Sequence, residues 1–233
     1  MARKPLGLDR QGIQKTMRMS NYFGDGLGQL GLNIMSGLIG ILVYFYTDKV
    51  GIAAGAAGTA LLVAKIVDAF SDFTMGWLLD RVRTRWGKAR HWLLWGAVPA
   101  GIAVTVLFTV PVGAADGVKV TYAIATNILL SAGAYTMLVI PYGSLMFYLT
   151  PSIEQRGSMG LTRAVFGYIS GMIIAIGYIP ITNALGGDQS AWIKFGFGAA
   201  VAITVCFLIA FVTDKEKTDR KSTRLNSSHA LAS

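Results

Sequence analysis

The chain has 233 residues, 53% of them hydrophobic and only 14% charged. A soluble domain carries about 25% charged residues, so an ordinary soluble domain is excluded and a membrane protein is indicated. The net charge of +9 does not point to nucleic acid, because Lys and Arg cluster between apolar runs as topology signals do. A single cysteine, Cys206, excludes a disulfide framework within the chain.

Residues 1–21 hold Arg3, Lys4, Arg10, Lys15 and Arg18 against Asp9. They read as a cytoplasmic lead-in, with no short apolar core and cleavage site of a signal peptide. The first span is predicted over residues 22–46. Its first half carries Asp25, Gln29 and Asn33 at four-residue spacing, which puts them on one helical stripe. Gly24, Gly26, Gly28 and Gly31 are interleaved with them and permit close helix packing. The stripe is either a set of interfacial polar groups or the wall of a site, and the depth of Asn33 favours the wall. Asp48 and Lys49 form a short outer turn, and Gly51, Gly55 and Gly58 give the small-residue spacing of a packed face.

The second span, predicted over residues 54–79, contains Lys65, Asp68, Ser71 and Asp72. Asp68 and Asp72 share a helix face, with Lys65 one turn before Asp68. Both carboxylates fall near the bilayer midplane, where each costs about 2.5–3.5 kcal/mol on insertion scales. Two on one face indicate a polar site toward a protein interior or a water-filled path, where a cation can sit.

Asp80 to Arg90 is a short, densely basic loop. A third span is predicted over residues 91–112, with His91 interfacial at its edge. An outer loop over 111–119 precedes the fourth span, 120–149, which Pro141 is expected to interrupt; Thr136 lies about one turn before it. A loop over 150–162 carries Glu154 and Arg156. The fifth span, 163–181, opens on Arg163, an interfacial anchor or an intramembrane charge partner. An outer loop over 183–194 leads to the sixth span, 192–212, and residues 214–218 begin a cytoplasmic linker.

The fold class expected is therefore all-α: a polytopic membrane protein whose six helices, within residues 22–213, form one bundle. The N-terminal segment and the 80–90 loop hold five Lys and Arg each, against single lysines, Lys49, Lys119 and Lys194, on the other side. Both ends are expected in the cytoplasm. From Asp219 to His229 the residues resemble, codon by codon, the translation of a widely used sequencing adapter, so residues 219–233 are expected to be a non-native tail.

Four stretches carry a family resemblance: Tyr44-Phe45-Tyr46-Thr47-Asp48, the run from Lys65 to Asp72, Met75-Gly76-Trp77-Leu78-Leu79-Asp80-Arg81, and Arg85-Trp86-Gly87-Lys88. They resemble the glycoside–pentoside–hexuronide:cation symporters, the melibiose-permease-like branch of the major facilitator superfamily, over about residues 20–217. The resemblance implies twelve spans in two six-helix bundles, of which this chain is the N-terminal one. Its partners would be the lipid bilayer of a bacterial-type inner membrane, a small-molecule substrate and a missing C-terminal six-helix half, with no nucleic acid. No cofactor is implied beyond Na⁺ or H⁺ as coupling ion.

By position, the resemblance assigns cation binding to Asp68 and Asp72, with oxygens from Ser71, which stands where many members have Asn, and from Thr136. Lys65 would be a charge partner. For the substrate it points to Asn33, Arg163, Val139 and Gly143, beside Gln29 of the same stripe. Val139 and Gly143 replace an acid and an aromatic, which speaks against a galactoside and leaves room for a pentoside, a uronide or an anionic solute. Asp80, Arg81, Arg85 and Lys88 would form a cytoplasmic latch of ion pairs. The function expected is cation-coupled symport of a sugar or sugar-like solute by alternating access. A lipid or non-sugar solute transporter, or a regulatory membrane protein on the same scaffold, is the alternative. The sequence presents no metal cluster, nucleophile–base pair or phosphate loop, which argues against an enzyme.

Overall fold

The computed structural model describes residues 6–216. Among these the structure is helical, with two isolated bridges, Leu8 to Gln14 and Thr84 to Gly87. Six long helices follow one another: α1 (Met19–Lys49), α2 (Ala54–Arg81), α3 (Arg90–Leu107), α4 (Asp116–Leu149), α5 (Ile153–Ala184) and α6 (Gln189–Thr213). All but α3 are long and apolar enough to cross a membrane. α3 has 18 residues and opens on Arg90 and His91, which dilute its hydropathy. At about 1.5 Å per residue it is about 27 Å long, close to a hydrocarbon core of about 30 Å. The expected adapter-like tail lies outside the described residues.

Several predicted boundaries shift. α5 begins at Ile153, so Glu154 and Arg156 are helical and the expected 150–162 loop shrinks to a short turn. The Ser152 hydroxyl accepts from the Gln155 backbone N–H, an N-cap that starts the helix well before its apolar stretch. Arg163 therefore lies inside α5 rather than opening it. Asp48 and Lys49 belong to a π-helical last turn of α1, Phe45–Lys49, and Gly51, at φ +76°, makes the turn that follows. Pro141 does not interrupt α4, because the α-helical segment Thr136–Leu149 runs through it; the irregular stretch is the π-helical Leu129–Tyr135 just before.

α1 is the centre of the bundle, packed against α5 and α6, while α3 packs against α6 and α4, and α2 against α4. The α1 glycines make this possible. A Cβ on Gly24 would collide with the Thr213 side chain, one on Gly26 would lie 2.6 Å from the Phe166 ring, and one on Gly28 would lie 2.7 Å from Tyr142. At the end of the bundle away from the N-terminal segment, Phe45, Phe108 and Trp192 interlock with ring centroids 5.1–5.8 Å apart, tying α1, α3 and α6 together. Gly55 and Gly58 do not form the expected packed face, since nothing lies within 4 Å of where their Cβ atoms would be. The same helix exposes Leu62, Ile66, Phe70, Phe73 and Trp77, and α5 exposes Leu161, Tyr168, Met172 and Ile176.

The N-terminal segment is a folded strap. Asp9 Oδ1 accepts from the backbone N–H groups of Gln11 and Ile13, and Oδ2 accepts from the Ser152 hydroxyl at 2.6 Å. That hydroxyl, above all, holds the Asp9 carboxyl below the usual carboxylate range. Gln155 Oε1 accepts from the backbones of Thr16 and Met17 and from the Thr150 hydroxyl, and Lys15 pairs with Glu154 at 2.9 Å. His91, at the start of α3, is buried, with Nδ1 3.2 Å from the Gly87 carbonyl and its ring against Trp92 and Trp95. Cys206 is a buried free thiol.

Candidate functional site

Near the middle of α2, Asp68 is buried and Asp72, one turn on, is exposed. The facing element is the junction in α4 where the π-helical stretch Leu129–Tyr135 gives way to Thr136. A π turn widens the backbone and is frequent at functional sites. Here two of its carbonyls accept side-chain hydroxyls: Ser131 from Thr136 at 3.2 Å, and Ala132 from Ser71. Thr136, fully buried, also reaches Asp68 Oδ1 at 3.1 Å and Asp72 Oδ1 at 2.8 Å.

Lys65 Nζ lies 2.8 Å from Asp68 Oδ2. Three of the four predicted cation ligands, Asp68, Asp72 and Thr136, thus converge, with Lys65 as charge partner. The Ser71 hydroxyl donates its hydrogen to the Ala132 carbonyl of the same π-helical stretch. Two carboxylates against one ammonium give the cluster a formal net charge of −1, which one monovalent cation would neutralise.

A second region is a groove of about 660 Å³ between α1 and α5, lined by Gln29, Asn33, Arg163, Gly167, Tyr168 and Met172. Asn33 Nδ2 donates to the Gln29 carbonyl, and a Cβ on Gly167 would lie 3.3 Å from Asn33 Nδ2, so the glycine keeps that amide accessible. Val139 packs on the core and Gly143 is exposed on α4; neither lines this groove.

Arg163 is the charge partner of Asp25, a role the sequence left open between two readings and for which Asp25 was not singled out. Its Nε and Nη2 bond both Asp25 carboxylate oxygens at 2.8 and 2.7 Å, Nη2 also reaches the Tyr142 carbonyl at 3.2 Å, and the guanidinium lies 3.9 Å from the Tyr142 ring centroid. The Tyr142 hydroxyl in turn donates to the Asp25 backbone carbonyl at 2.6 Å. This locks α1, α4 and α5 together with a bidentate pair.

In the 80–90 loop, Lys88 Nζ pairs with Asp80 Oδ1 at 2.6 Å. Arg81 and Arg85 stack on Trp77 and Trp86, at 3.9 and 4.6 Å from the ring centroids. The loop's main anchor is a residue that sequence reasoning missed. Glu216 accepts from the backbone N–H groups of Lys88, Ala89 and Arg90 at 2.8–2.9 Å, placing a carboxylate at the N-terminus of α3. Gly87 makes room for it: its φ is +119°, and a Cβ there would overlap the Glu216 carboxylate. Gly87→Ala is expected to destabilise the bundle by about 1–3 kcal/mol through backbone strain, with loss of this cap added. Thermal unfolding of the purified chain checks it, and a Glu216→Gln variant reads the cap without the strain.

Comparison with known proteins follows the same lines. A family model described as MFS/sugar transport protein matches residues 24–232. The inner membrane symporter YicJ of Escherichia coli (strain K12) is 36% identical over 90% of this chain and 46% of its own length. An isoprimeverose transporter of Lactiplantibacillus pentosus is 34% identical over 85% and 42%. A crystal structure of the peptide transporter POT in complex with sulfate superposes with a TM-score of 0.62 at 15% identity, over 97% of this chain and 48% of that one, a likeness of fold alone. The chain spans about half the length of the curated relatives it matches.

Proposed function

The chain belongs to the MFS/sugar transport protein family, a family of membrane transporters rather than enzymes, and from that premise we propose that it is the N-terminal bundle of a cation-coupled symporter for a sugar or sugar-like solute. The observation that carries the coupling is the Thr136 hydroxyl held between Asp68 and Asp72 on a neighbouring helix. Na⁺ takes oxygen ligands, and a hydroxyl with two carboxylates replaces part of its water shell; the same carboxylates accept H⁺. Cation binding favours the conformation that binds solute, and alternating access moves this bundle against a second, C-terminal one. The Lys and Arg distribution supports cytoplasmic placement of both ends of the bundle in a bacterial-type inner membrane.

On the solute side, the names of relatives support a glycoside-like cargo. Arg163 is committed to Asp25, so the groove offers the side chains of Gln29, Asn33 and Tyr168 rather than a bare positive charge. That favours a hydroxyl-rich neutral solute over an anion. The test is uptake of a radiolabelled panel (pentosides, hexosides, uronides and amphipathic solutes) by vesicles containing the full-length transporter under an imposed Na⁺ or H⁺ gradient. Gradient-dependent accumulation of a neutral glycoside or pentoside is expected. Accumulation of amphipathic solutes alone, or of nothing under either gradient, would sink the reading.

A further inference from the structure

Asp214 follows the last residue of α6 and is fully buried, yet it has almost no hydrogen-bonding support. Oδ1 lies 3.3 Å from the Thr213 hydroxyl, and Oδ2 has no partner among the described residues. The charged or titratable groups around it come from four helices: Asp25 of α1, Arg90 of α3, Tyr142 of α4 and Arg163 of α5. Each is already engaged. Arg163 gives two N–H groups to Asp25 and its Nη2 also to the Tyr142 carbonyl. Arg90 Nε donates to the Phe211 carbonyl at 2.7 Å, with its guanidinium over the Phe211 ring. The Tyr142 hydroxyl donates to the Asp25 carbonyl. Nearby, the Asn21 amide donates to the Thr213 carbonyl and Glu216 caps α3.

An ionised Asp214 would thus be a buried anion with one unsupported oxygen, at the negative end of the α6 dipole, beside the carboxylate of Asp25. Burial first, and Asp25 second, push its carboxyl well above the ordinary carboxylate range.

We propose that Asp214 is a proton-binding site, separate from the Asp68–Asp72 pair, that is occupied at neutral pH and keeps Arg163 with Asp25. As a neutral acid, Asp214 removes one of two carboxylates that would otherwise share the one guanidinium. Losing that proton creates a second anion beside Arg163, which also lines the α1–α5 groove. The proton on Asp214 therefore links the cytoplasmic end of α6 to that groove. None of this depends on which cation occupies the Asp68–Asp72 site.

Infrared spectroscopy of the purified 233-residue chain in lipid nanodiscs tests it. At neutral pH a carboxylic-acid C=O band is expected. In the Asp68→Asn, Asp72→Asn background, where the coupling-site carboxyls are absent, Asp214→Asn should remove a component of the band and Asp214→Glu should shift it. A band that Asp214→Asn leaves undiminished in that background, or no band there at all, overturns the proposal. Thermal unfolding against pH gives a second reading. A folded-state pKa raised above 3.8 makes the stability from this group complete below that value and lost as pH rises toward the folded pKa. The unmutated chain should therefore lose melting temperature with rising pH through this window, and Asp214→Asn should flatten that loss. A melting temperature for Asp214→Asn well below the parent's throughout the neutral range would mean an ionised, paired carboxylate, and would also overturn it.

Discussion

Arg163→Ala is expected to lower the stability of the bundle by about 3–5 kcal/mol, because it leaves the Asp25 carboxylate buried with no counter-charge. Asp25 is wholly inaccessible, and its two oxygens accept from Nε and Nη2 of Arg163. The penalty comes mostly from the orphaned anion rather than from the lost attraction. Removing both charges should therefore be far milder: Asp25→Leu with Arg163→Met should recover most of the loss. The measurement is thermal or denaturant unfolding of the two singles and the double, arranged as a cycle. If Arg163→Ala melts with the parent, the pair does not hold α1 to α5. Arg163→Lys should be intermediate, since an ammonium cannot reproduce the two parallel bonds or the stacking on Tyr142.

In the full-length transporter, Asp72→Asn should abolish cation-stimulated uptake. It takes the Lys65, Asp68 and Asp72 cluster from a formal charge of −1 to zero before any ion binds, while the amide keeps the size of the side chain. Thr136→Val should act more gently. It keeps both carboxylates and removes one oxygen ligand from the ion-bound state, and a loss of about 1.4 kcal/mol is a factor of ten. The cation concentration for half-maximal uptake should then rise by about ten-fold or more, with solute affinity at saturating cation little changed. Uptake that keeps its cation dependence in Asp72→Asn would reject the site. An unchanged half-maximal concentration in Thr136→Val would remove Thr136 from it.

The contrast between the two sites shows what the sequence could and could not disclose. Lys65, Asp68 and Asp72 lie within eight residues of one another, so helical periodicity alone aligned them. The contribution of Thr136 rested on resemblance, because nothing in the spacing says which helix faces α2. The π-helical turn before it was invisible, since small residues such as Ser131 to Ala134 suit many backbones. Asp25 and Arg163 were both visible as charges in apolar runs, but they are 138 residues apart and their pairing is a product of helix arrangement. The start of α5 was legible in Ser152 and Gln155, a cap signal that reading for hydropathy passed over. The glycines of α1 were read correctly as contacts and those of α2 were not, because small-residue spacing does not say whether a neighbour is present.

One further consequence lies in counting hydrogens at Thr136. Its hydroxyl stands within 3.2 Å of three acceptors, Asp68 Oδ1, Asp72 Oδ1 and the Ser131 carbonyl, and has a single hydrogen to give. Lys65 serves the other oxygen of Asp68. At any instant two of the three acceptors wait, and the hydrogen that serves one deprives its neighbours. A bare metal ion ends this competition by letting the hydroxyl turn its lone pairs inward and give its hydrogen to Ser131. A proton eases it by supplying one of the two missing hydrogens. The two coupling ions would thus leave the cluster with different numbers of hydrogens, and transport in heavy water distinguishes them: a cycle that moves a proton slows more with the isotope than one that moves sodium.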